Sequence, residues 1–234
     1  MTSTREPGSS EWVYESIVRS IPGINTSRSV ALAVQLLGFE AGVLLFSWYF
    51  GRPTAAVAGT VGVVVAVAGS VFMLHLSREV RSVARPRPYC DLLFGSRIEI
   101  LLGLLSFFVL IDYVFVYDPY QPGEALLVTL LGEPPSIVFS FLLLMIAWDV
   151  AYRIGVGWWA SVLGLWRSYR FGDELDDDVK RRYRRIDGLT IGFASVQLLL
   201  VPILLGHPLL QIGVVGHVVA VLIVSGGSIV LLRN

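Results

Sequence analysis

An all-α, polytopic membrane bundle of about six transmembrane helices, with both termini in the cytoplasm, is the fold this sequence predicts, on three observations. The 234-residue chain is 55% apolar and 15% charged, with a mean hydropathy of +0.70; soluble domains carry about 25% charged residues. Its apolar residues fall in runs of about 20, the length an α-helix needs to cross roughly 30 Å of hydrocarbon. Its arginines crowd into alternate connections between those runs. The formal net charge is zero, so no global basic balance points to nucleic acid.

Residues 1–29 are polar and show no apolar h-region or cleavage site, so they read as a cytoplasmic N-terminal segment rather than a secretory signal. Within them Trp12, Val13, Ile17 and Ile21 lie on one side of residues 10–22, an expected interfacial amphipathic helix. The transmembrane domain, 30–234, divides into spans at 30–50, 55–76, 98–117, 136–153, 189–205 and 210–232. Gly51-Arg52-Pro53 turns the first span into the second, and Gly206-His207-Pro208 turns the fifth into the sixth. The third span follows a basic spacer, Arg85-Pro86-Arg87-Pro88, read as extended. Pro134 and Pro135 suit the start of the fourth, where helical N–H groups lack partners in any case. Residues 154–169 contain Gly155, Gly157, Trp158, Trp159 and Trp166, and read as an interfacial elbow. Residues 173–187 read as a short amphipathic helix: Asp176, Asp177 and Asp178 precede Lys180, Arg181 and Arg182 by four, while Leu175, Val179, Tyr183 and Ile186 form one apolar stripe.

Orientation follows from the basic residues, which are retained on the cytoplasmic side. Arg78, Arg81, Arg85, Arg87 and Arg97 lie between the second and third spans, and Arg167, Arg170, Lys180, Arg181, Arg182, Arg184 and Arg185 between the fourth and fifth. The loop from Asp118 to Glu133 has acids and no base. Basic charge is carried by arginine apart from Lys180, a bias of GC-rich prokaryotic genomes, so the expected location is a prokaryotic cytoplasmic membrane. Lys180, Arg181, Arg182, Arg184 and Arg185 are the expected contacts for anionic headgroups.

Ionisable groups in hydrocarbon cost about 2.5 to 3.5 kcal/mol on insertion scales and therefore need a partner, a water cavity or a use. By helical rise, Glu40 lies roughly 15 Å from the cytoplasmic face, Asp112 roughly 21 Å, His217 roughly 20 Å, and Gln197 and Ser106 roughly 12 Å. Glu40, Asp112, His217 and Gln197 are accordingly the candidate ion or proton site, beside Pro202, which deprives the Leu198 carbonyl of its helical partner. The same side chains could simply bond helix to helix. Asp149 and Arg153, spaced i,i+4, are a candidate charge pair at the inner end of the fourth span. In the second span, Ala55, Ala58, Gly59, Gly62, Ala66 and Ser70 permit close helix approach, within one chain or in a homo-oligomer.

His75, His207 and His217 share no plane that would suit haem, and no phosphate-binding loop, HExxH, GxSxG or selectivity-filter motif occurs. The lone Cys90 excludes an internal disulfide framework. No cofactor is expected. Three functions remain: a bundle that moves or senses a small ion or solute, a non-catalytic subunit or scaffold of a membrane complex, and an intramembrane lipid enzyme using Cys90, His75 or Asp91. The first two are favoured, because those three residues form no recognised nucleophile or metal arrangement.

Overall fold

The computed structural model describes residues 28–83 and 86–233, which are predominantly helical with no strand among them. Eight α-helices follow in order: α1 Arg28–Tyr49, α2 Pro53–Ser82, α3 Arg87–Gly95, α4 Ile98–Asp112, α5 Leu126–Leu131, α6 Ile137–Phe171, α7 Asp177–Val196 and α8 Pro208–Leu231. Two of them change winding at one end. A π-turn, Tyr113–Tyr117, and a short 3₁₀ turn, Asp118–Tyr120, extend α4, and a 3₁₀ stretch, Gln197–Leu204, extends α7. Five of these rods are long and apolar enough to cross a membrane, and α1 adds a shorter apolar stretch, Leu36–Tyr49. The amphipathic segment expected at residues 10–22 lies outside the described residues.

Successive long helices run antiparallel, which sorts the connections to two ends. One end carries the acidic loop with α5; the other carries α3 and the arginines. Helix α2 packs against α1, α6 and α7, and its small residues explain how. A Cβ on Gly62 would stand 2.9 Å from Ile146, and ones on Gly59 and Gly69 would strike Val43 and the Arg153 side chain. Between α4 and α6 the backbones themselves meet: a Cβ on Gly155 would lie 2.7 Å from the Gly103 amide nitrogen.

Three sequence expectations are corrected here. The elbow at 154–169 does not exist, because α6 continues unbroken for 35 residues, roughly 52 Å at helical rise. Gly155 and Gly157 are contact points with Gly103 and Phe193, not breaks. Of the amphipathic helix expected at 173–187, residues 177–187 are the first part of α7, which runs on through Gly188, while Gly172–Glu174 form a separate 3₁₀ turn. Its apolar stripe faces protein: Tyr183 and Ile186 are buried, with Leu175 and Val179 packed against the same core as Phe72, Leu76, Tyr89 and Leu93. Lastly, Arg87 and Pro88 form the first turn of α3 rather than an extended spacer. Trp159 ties that helix to α6, its indole N–H donating to the Leu92 carbonyl at 3.1 Å.

Candidate functional site

A cavity of about 750 Å³ opens in the half of the bundle nearer the acidic loop. Helices α4 and α8 each pack on α6 rather than on each other, and the space between them is the cavity. Asp112 from α4, Gln197 from the end of α7 and His217 from α8 line it together, with Ser106. The remaining wall is mostly aliphatic, supplied by α2, α5, α6 and α8 as well.

Both unusual windings form its walls. In a 3₁₀ helix side chains three apart eclipse one another, so Gln197, Leu200 and Ile203 stand in one row, and all three face the cavity. Pro202 lies within this stretch. The orphaned carbonyl expected at Leu198 is thus replaced by a change of winding over eight residues. The Gln211 amide of α8 donates to the Val201 carbonyl there at 3.5 Å. Opposite, Tyr113, Val114 and Tyr117 of the π-turn also line the cavity.

The polar groups at its floor are incompletely bonded. Gln197 is 1% exposed, yet neither its amide oxygen nor its nitrogen has a hydrogen-bond partner among the described residues. The buried Nε2 of His217 has none either, and its ring lies 6.0 Å from that of Trp158. The Ser106 hydroxyl is already engaged, donating to the Leu102 carbonyl at 2.8 Å.

Glu40 is not part of this group. It sits on the seam between α1 and α2, where the Thr60 hydroxyl donates to its Oε1 at 2.8 Å while Oε2 stays buried and unbonded. Its depth could be counted from the sequence, but its rotation about α1 could not. His75 and His207 are likewise elsewhere: the His75 ring nitrogen lies 2.9 Å from the Val71 carbonyl of its own helix.

Below the cavity the bundle is closed by buried charge. Asp149 and Arg153 pair within α6, and the Arg153 guanidinium also donates to the Ser70 hydroxyl of α2, at 3.1 and 2.8 Å. A second network, missed in the sequence, lies nearer the arginine-rich end. Arg167 of α6 is fully buried and donates to Asp187 of α7 at 2.8 Å, to Ser168 at 3.1 Å and to Ser228 of α8 at 3.3 Å. Ser228 in turn donates to Asp187 at 2.7 Å. The guanidinium carbon lies 3.9 Å from the Tyr183 ring centroid and 5.3 Å from that of Tyr89, within cation–π range. Arg167 had counted only as a positive-inside charge. The signal available was a polar stripe of Ser161, Ser168, Ser225 and Ser228; Ser161 and Ser225 face each other at 2.9 Å. Glu99, 0% exposed with neither carboxylate oxygen hydrogen-bonded among the described residues, also went unnoticed.

The arginines expected to touch headgroups are partly engaged within the protein. Arg184 donates to the Leu232 carbonyl at 2.6 Å and Arg182 to the Ser82 hydroxyl at 3.4 Å, while Arg181 pairs with Asp178. Lys180 is half-buried and Arg185 exposed.

At the opposite end Asp118, His207 and Tyr113 form a buried cluster. Asp118 Oδ1 is 2.8 Å from His207 Nδ1, its Oδ2 accepts the Leu126 amide at 2.6 Å, and the Tyr113 hydroxyl is 3.4 Å from the same imidazole nitrogen. One carboxylate therefore ties the end of α4 to the start of α5 and to the α7–α8 turn, at the mouth of the cavity. No group of three or more His, Cys, Asp or Glu side chains that could hold a metal occurs among the described residues.

A family model described as "Family of unknown function (DUF7530)" matches residues 8–228. No curated protein and no solved structure matches the chain.

Proposed function

The chain belongs to that family of unknown function, and from this premise we propose that it is a six-pass protein of the cytoplasmic membrane that binds a small solute inside the bilayer. In this reading both termini are cytoplasmic, the acidic loop is extracellular, and the bound solute is moved or sensed from the outer half. The observation that carries it is the convergence of Asp112, Gln197 and His217 on one cavity above a floor sealed by Arg153, Asp149 and Ser70. Pockets of roughly 300–1,000 Å³, mostly apolar with a few converging polar groups, are the usual form of small-molecule sites. A selective ion path is less well supported, because Glu40 lies outside the cavity and the wall is largely aliphatic.

The test is a nitroxide on Ala147→Cys, a half-buried cavity position, in a Cys90→Ser background, with the protein in lipid vesicles. Access by oxygen or by a water-soluble nickel chelate supports an open binding space, filled by lipid or by water respectively. A label shielded from both reagents, like one on the fully buried Val65→Cys, would overturn the proposal.

A further inference from the structure

We infer that the ligand of this cavity is an uncharged, lipid-soluble molecule headed by a carbonyl group, which reaches the site sideways through the bilayer between α4 and α8. The inference rests on the solute-binding reading above and narrows it to a chemical class.

Charge comes first. No lysine or arginine lines the cavity, so an anionic head would lose its hydration without gaining a counter-ion, a penalty of several kcal/mol. The one carboxylate, Asp112, is exposed, whereas the deepest polar groups are the neutral Gln197 amide and the His217 imidazole. Those are the groups left without partners. Buried polar atoms in folded proteins are nearly always bonded, so the Gln197 amide N–H, joined by the His217 Nε2 in its Nε2–H tautomer, marks the place of a missing acceptor. A carbonyl oxygen meets that requirement. The amide oxygen of Gln197 remains for a hydroxyl or an enolic proton on the same head.

The route follows from the rim. Leu105 and Val109 of α4 and Leu209 of α8 line the cavity and are also exposed on the outside of the bundle. An apolar body can therefore remain in the lipid or in the aliphatic groove while its polar end moves in to Gln197. The mouth toward the acidic loop is instead tied by Asp118 to His207 and to the Leu126 amide. About 750 Å³ accommodates a ring head with part of a chain. Two membrane-borne sources share this chemistry: the ring carbonyl of a quinone and the ester carbonyl of a neutral glycerolipid.

Trp158 supplies the readout, since its ring is 6.0 Å from that of His217, and both quinones and brominated acyl chains quench indole fluorescence on contact. The full-length protein in lipid nanodiscs is titrated with a decyl-substituted benzoquinone and, separately, with a diacylglycerol carrying brominated chains. Trp158→Phe identifies the signal among the six tryptophans. Saturable quenching by one probe is expected, and which probe acts names the source. Gln197→Leu should raise the half-saturation concentration about tenfold, the loss of one hydrogen bond at a buried site, and His217→Leu should act similarly.

Two outcomes overturn the inference. One is an absence of saturable quenching by either probe while the Ala147→Cys label remains accessible; the cavity reading then stands and the ligand class falls. The other is competition by dodecyltrimethylammonium that disappears in Asp112→Asn, which would assign the site to a cationic head. Shielding of the Ala147→Cys label would remove the underlying solute-binding reading as well.

Discussion

Asp187→Asn should be among the most destabilising single changes in the protein. The Arg167 guanidinium is fully buried, and Asp187 Oδ2, 2.8 Å away, supplies its only anionic partner among the described residues. Asparagine keeps the size and a bond to Ser228 but removes the charge. Breaking a buried pair from one side costs about 3 to 5 kcal/mol, because the other charge remains desolvated and uncompensated. For a chain of this length 1 kcal/mol moves the midpoint by about 2–4 °C, which corresponds to roughly 6 to 20 °C. The two tyrosine rings over Arg167 favour the lower part of that interval. Removing both charges is a different perturbation: Arg167→Met with Asp187→Leu replaces the pair with packed apolar volume and should recover most of the loss. The assay is thermal unfolding of the parent, Asp187→Asn and the double variant in one detergent, followed by helical circular dichroism. A midpoint for Asp187→Asn within 2 °C of the parent, or a double variant less stable than Asp187→Asn, would refute the view that uncompensated charge governs this site.

Other perturbations separate packing from polarity. Gly155→Ala places a methyl 2.7 Å from the Gly103 amide nitrogen, backbone that cannot swing aside, and should cost about 1–3 kcal/mol, measured by thermal midpoint. Gly188→Ala, within α7 and with open space around it, should be neutral or raise stability by up to about 1 kcal/mol through helix propensity. Asp118→Ala strands the Leu126 amide and His207; a loss of about 1–3 kcal/mol should accompany faster proteolysis of the loop between Tyr120 and Leu126, read by limited digestion of outward-facing vesicles. Glu40→Gln should leave probe quenching of Trp158 unchanged, because Glu40 bonds Thr60 away from the cavity; a shift above threefold in half-saturation would contradict that separation.

What the sequence made legible was whatever depends on one dimension. Hydropathy located the long helices, and the small residues of α2 marked a helix that packs closely against α1, α6 and α7. Depth placed Asp112, Gln197 and His217 at overlapping levels, roughly 12 to 21 Å from the cytoplasmic face, and the three line one cavity. Rotation was not legible, since each residue turns the helix by about 100°. This is why Glu40, at a similar depth, fell on the α1–α2 seam instead. Gly155 and Gly157 carried the opposite meaning from the one assigned to them: the same missing side chain that weakens a helix admits a neighbouring backbone. The Arg167–Asp187 pair spans two helices and 20 positions, so no local spacing announced it, and each residue alone resembled an ordinary surface charge.

The tight winding of Gln197–Leu204 also makes that segment a screw. A 3₁₀ turn rises about 2.0 Å per residue and an α-turn 1.5 Å, so rewinding these eight residues would shorten the rod by about 4 Å. It would also swing Ile203 about 120° around the axis from the line of Gln197, because each three-residue step falls short of a full α-turn by about 60°. The wall would then be dismantled by the same stroke that drew the α7–α8 turn inward. We predict that pulsed electron-resonance distances between labels on Ser195→Cys and Gly206→Cys, in a Cys90→Ser background, take a shorter value whenever the cavity is lost. An unchanged distance in protein whose Ala147→Cys label has become shielded would rule out pitch as the variable that opens and closes this space.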